Sequence, residues 1–75
     1  MTTERVAANL QEAMALLHWE LRDLFISALA YGMVGTEADV REHLRTGNHL
    51  SAAQSAVIGA ALNDALMHID STFRV

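Results

Sequence analysis

Residues Thr3 to Tyr31 run as TERVAANLQEAMALLHWELRDLFISALAY, with no glycine or proline, and constrain the chain more than any other stretch. Apolar residues recur at helical spacing: Val6, Leu10, Met14, Leu17, Leu21, Leu24 with Phe25, then Ala28 and Tyr31. Such a row predicts an amphipathic helix. A second row, Leu16, Trp19, Ile26 and Ala30, lies well round the cylinder from the first. The alternative is a break near His18 to Glu20, but no breaker residue stands there, and one continuous helix of roughly 43 Å is expected. Two apolar sides need two covers. The expectation is that one side packs on the chain itself and the other on a second copy, with Leu10, Met14, Leu17, Trp19, Leu21, Leu24, Ala28 and Tyr31 as candidate interface residues.

Size sharpens this expectation. Seventy-five residues make a single helical domain, 1–75, and so small a domain is marginal by itself. Hydrophobic residues are 52% of the chain and charged ones 19%, more apolar side chain than a monomeric three-helix core would comfortably hide. There is no cysteine, hence no disulfide to staple the fold. Cysteine-free composition favours a cytoplasmic setting, since small secreted domains usually carry disulfides.

Helix punctuation follows the long stretch. Gly32 and Gly35 supply the left-handed backbone of a reversal. Thr36-x-x-Asp39 resembles a capping box opening a short, mostly wetted helix with Val40 and Leu44 inward, Glu37 and Arg41 paired, and Gly47-Asn48 as its stop. Ser51-x-x-Gln54 opens a third helix with Ile58, Ala61, Leu62, Ala65, Leu66, Ile69 and Phe73 inward. Ala52, Ala56, Gly59, Ala60 and Asn63 line a different, small-residue face, where Gly59 predicts the close approach of another helix. Thr2 or Thr3 is expected to cap the first helix.

Chemistry is sparse. The net charge is −4, lysine is absent, and five scattered arginines give no phosphate-binding face. The uncharged run Leu24 to Thr36 is too short to span a bilayer, and the N-terminus has no secretory pattern, so a soluble intracellular protein is expected. Of four histidines, His68 has a carboxylate at i−4, Asp64, which suits an ion pair, and His43 and His49 flank a loop without a third partner; no metal or other cofactor is expected. Ser51 or Ser55 with His49 could suggest a nucleophile, but Ser51 serves as a helix cap and no oxyanion loop follows. Glu20 and Asp23 fit solvated surface charge beside Arg22. No enzyme is expected. Trp19 and the methionines Met14, Met33 and Met67 fit a recognition surface, whereas Phe25 fits core. The second and third helices have the outline of a helix-turn-helix over residues 36–70, but the start of the third helix, SAAQSAVIGAA, carries no cation.

The run Leu50-Ser51-Ala52-Ala53-Gln54-Ser55-Ala56-Val57-Ile58-Gly59-Ala60-Ala61 resembles a helix of the YmgB/AriR-type small biofilm and acid-response regulators, which are similar to Hha-type nucleoid modulators. The preceding His43-Leu44-Arg45-Thr46-Gly47-Asn48 falls where that family has an aromatic-rich turn. The likeness covers residues 43 to about 66, and the family places further helices after this one, where the present sequence has its long helix in front. It implies a helical, dimeric, non-catalytic regulator. The residues themselves lead to a similar expectation: an all-α fold of one long and two shorter helices in a bundle-like homodimer. The expected function is that of a small bacterial or phage regulatory or adaptor protein, which binds a larger protein partner and neither nucleic acid nor membrane. The alternative is a transcriptional regulator using the helix-turn-helix.

Overall fold

A computed structural model describes residues 3–75, which form four helices: α1 (Thr3–Leu17), α2 (Leu21–Ala30), α3 (Glu37–Thr46) and α4 (Ala52–His68). No strand is present among the described residues. Thr3 is already helical, and the cap expected at Thr2 lies outside the described residues.

The single long helix is corrected to two. At the end of α1, His18 takes a left-handed φ of 55°. The Trp19 N–H donates to the Met14 carbonyl at 3.0 Å and the His18 N–H to the Ala15 carbonyl at 3.2 Å. These are the paired bonds of a Schellman terminus, here made without glycine. Glu20 then starts α2, its N–H donating to the Asp23 carboxylate at 2.8 Å. Left-handed backbone costs a residue with a Cβ about 1–2 kcal/mol, but histidine is among the residues that tolerate it best. Burial repays the strain. The molecule measures 28 × 27 × 19 Å, so a straight rod of roughly 43 Å would leave one end without a core to pack on.

Breaking the rod lets both arms lie on the same pair of helices: α1 and α2 each pack against α3 and α4. Leu10 and Ala13 from α1, Leu24 and Ala28 from α2, Val40 from α3, and Ile58, Ala61, Leu62 and Leu66 from α4 meet in one core, joined by Met33 from the α2–α3 loop. Burying a leucine or isoleucine side chain stabilises by about 1.5–3 kcal/mol, so the four large aliphatics with no exposed surface, Leu24, Ile58, Leu62 and Leu66, supply much of the cohesion.

The predicted caps form, with adjustments. Thr36 and Asp39 make the full capping box at α3. Ser51 caps α4 through the Gln54 N–H, but the Gln54 side chain turns away to accept the Val34 N–H at 2.8 Å, tying α4 to the α2–α3 loop. Glu37 lies 4.0 Å from Arg22 on α2 rather than pairing with Arg41. Gly47 ends α3 at φ 77°, where a Cβ would overlap the Thr3 carbonyl oxygen. It therefore sets how closely α1 approaches α3.

Candidate interaction surface

Among the described residues the buried polar side chain is His43, on the inward face of α3 and 1% exposed. The Leu50 N–H donates to His43 Nδ1 at 3.1 Å, and Nε2 lies 3.2 Å from Ser55 Oγ on α4. A nitrogen that accepts from an amide carries no proton, so the ring is the tautomer with its proton on Nε2, donating to Ser55. Burial, and secondarily the nearby His49, pushes the His43 pKa below its ordinary value. The imidazole thus bridges α3, the α3–α4 loop and α4 as a neutral strut. Ser55 and its histidine have the outline of a nucleophile–base pair, but Nε2 already holds a proton and cannot take that of the serine. The expected partner of Ser55, His49, instead contacts Asp39 at 3.1 Å. The Thr36 N–H, followed by His49, holds the Asp39 carboxyl below its ordinary range. Ser51 stays a helix cap.

His68 Nδ1 donates to the Asp64 main-chain carbonyl at 2.8 Å and lies 3.8 Å from its carboxylate, the pairing expected from their spacing. No group of three or more potential metal-ligating side chains clusters among the described residues. None of their helices is long and apolar enough to cross a membrane.

The eight candidate interface residues separate. Leu10, Leu24 and Ala28 lie in the chain's own core. Met14 and Leu21 border a depression of about 430 Å³ closed by Leu44, Arg41 and Arg45. Leu17, Trp19 and Tyr31 line a groove of about 380 Å³ between α2 and α4, facing Asp64, His68 and Ile69. There the neighbouring Asp64 carboxylate raises the pKa of the Tyr31 hydroxyl. One continuous stripe was expected; the break at His18 distributes it over several faces.

The second apolar row stays largely uncovered. Leu16, Ile26 and Ala30 are exposed and Trp19 is half-buried. With them stand Leu29, Tyr31 and Val34, so residues 26 to 34 present Ile26 (57% exposed), Leu29, Tyr31 and Val34 (76%) on the outside of α2 and the loop after it. Met67 and Ile69 add apolar surface at the end of α4. Of the methionines proposed for recognition, Met33 is core, Met14 is half-buried and Met67 is exposed. The close helix contact expected at Gly59 is corrected: nothing lies within 4 Å of where its Cβ would stand. It sits instead on the wall of an uncharged groove of about 680 Å³ between α1 and α4. The first residues of α4 form an alanine-rich, exposed face without cations.

Compared with models of known protein families, curated proteins and solved structures, the chain matches none.

Proposed function

We propose that this chain is a small non-catalytic regulatory or adaptor protein that works through protein contacts as a homodimer, using the outer face of α2 and the loop that follows. The observation that carries this reading is the run of large apolar side chains held in water at Ile26, Leu29, Tyr31 and Val34. Isolated exposed apolar residues are ordinary, but several together on one element favour a contact surface. A stable interface takes about 800 Å² from each partner, about a sixth of the 4581 Å² that the described chain exposes. Aromatic and methionine side chains suit such a surface, and Tyr31 and Met67 are both exposed. The resemblance over residues 43 to 66 leads to the same expectation of a helical, dimeric regulator and rests on those residues alone.

A charge placed on the surface tests this. Ile26→Asp and Leu29→Asp should each turn a dimer into a monomer in light scattering while leaving the helical circular dichroism unchanged. A variant that keeps the wild-type mass would remove the α2 face from the contact.

A further inference from the structure

After α4 the chain reverses and runs back along that helix. Asp70 makes the turn at φ 59°, and the Ser71 N–H donates to the Leu66 carbonyl at 3.0 Å. The end of the tail is then held at two points by one side chain. The Val75 N–H donates to Asn63 Oδ1 at 2.8 Å, and Asn63 Nδ2 donates to the Val75 carbonyl oxygen at 3.2 Å. Phe73 and Val75 are half-buried against the core. Val75 also borders the uncharged α1–α4 groove, beside Val6, Ala60 and Asn63. The α4 surface is therefore a built seat for a short apolar segment, read through a main-chain clamp and two side chains two residues apart.

We propose that residues 71–75 exchange between two copies, each tail seating on the Asn63 clamp of the other chain. This deepens the homodimer reading above and rests on it. A second copy is the occupant because its tail is the segment the seat already fits, so the seated contacts are the same in closed and exchanged forms. The balance is set by the hinge and by new surface. Closing the tail onto its own chain holds Asp70 in a left-handed conformation, which is disfavoured for a residue with a Cβ, though less for aspartate than for most. Straightening the hinge removes that strain and extends α4. It also brings the exposed Met67 and Ile69 of two chains to one junction, where each covers the other. This junction adjoins the α2–α4 groove that holds Tyr31 and Ile69, so the exchange is continuous with the proposed α2 contact.

The chain has no cysteine, so introduced thiols report unambiguously. Full-length Ala60→Cys and Val75→Cys variants, which leave the Asn63 clamp intact beside the groove that Ala60 and Val75 share, are mixed, refolded together and oxidised, and the disulfides are mapped by mass spectrometry. Exchange predicts a covalent mixed dimer joined 60 to 75, well above the 60–60 and 75–75 products. Absence of that excess overturns the proposal. A second measurement does not depend on the thiol variants. Glycine relieves the closed turn and alanine strains it, so Asp70→Gly should weaken dimerisation by roughly several-fold and Asp70→Ala should strengthen it by a similar factor. Equal dimer affinities for the two would also overturn exchange. If wild type is dimeric without the mixed disulfide, exchange fails and the α2-face dimer stands; a monomer throughout removes both.

Discussion

Acidification should loosen this protein through one residue, His43. Its Nδ1 accepts the Leu50 N–H and its Nε2 contacts Ser55, an arrangement that only the neutral ring can make. Protonation would set a ring N–H against the Leu50 N–H, and a broken buried hydrogen bond costs about 1–3 kcal/mol. In the unfolded chain the imidazole titrates near the ordinary 6.5, whereas in the folded chain burial lowers that value. Below 6.5 the unfolded state therefore binds more protons, and stability falls as pH falls. The stabilisation from the neutral ring is fully present above pH 6.5. It declines from there towards the folded pKa, with a slope of at most about 1.4 kcal/mol per pH unit for one proton. His43→Phe keeps an aromatic ring but removes both hydrogen bonds and the titration. At pH 7.5 the variant should be less stable by about 1–3 kcal/mol, since the half-buried Leu50 N–H and Ser55 hydroxyl lose their partner. Urea unfolding followed by Trp19 fluorescence at pH 7.5, 6.5 and 5.5, at one protein concentration, measures both effects. The gap between wild type and variant should narrow as pH falls. Parallel stability curves would refute the neutral-strut assignment.

Other substitutions test separate joints of the fold. Gly47→Ala forces a Cβ into a left-handed position and onto the Thr3 carbonyl oxygen, and should destabilise by at least about 2 kcal/mol in thermal or urea unfolding. His18→Gly relieves the left-handed residue at the α1–α2 break and should raise stability by up to about 1 kcal/mol, whereas a continuous helix would be weakened by a similar amount. A salt-titrated DNA-binding assay should show no binding at moderate salt, because the exposed start of α4 offers no cation; tight binding with a steep salt slope would favour the transcriptional reading.

Local chemistry was the most legible level of the sequence. Thr36, Asp39, Gly47 and Ser51 act where their side chains or backbone freedom predict, because capping involves only neighbours a few residues apart. The apolar stripe of α4 was legible along its middle, where Ile58, Ala61, Leu62 and Leu66 are all core; Ile69, expected inward, is instead exposed, because α4 ends at His68, and Phe73 packs from beyond the helix. The break at His18 was not legible from glycine and proline, since histidine makes the left-handed turn and Trp19 supplies the apolar residue that follows it. The available signal was Glu20 three residues before Asp23, a weak helix start inside an otherwise unbroken pattern. His43 illustrates another limit. Sequence placed it beside a loop, while its burial depends on Leu50 and Ser55 converging from the next helix and its lead-in. Gly59 misled for a related reason: a small residue marks room for an approach without naming what approaches.

The central claim, that apolar surface left open by the fold is covered by a second copy, is tested most directly by sedimentation equilibrium of the wild-type chain over a dilution series reaching low micromolar concentration. A reversible species of twice the 8.2 kDa chain mass, dissociating only on dilution, is expected. A single 8.2 kDa species across the series would contradict it.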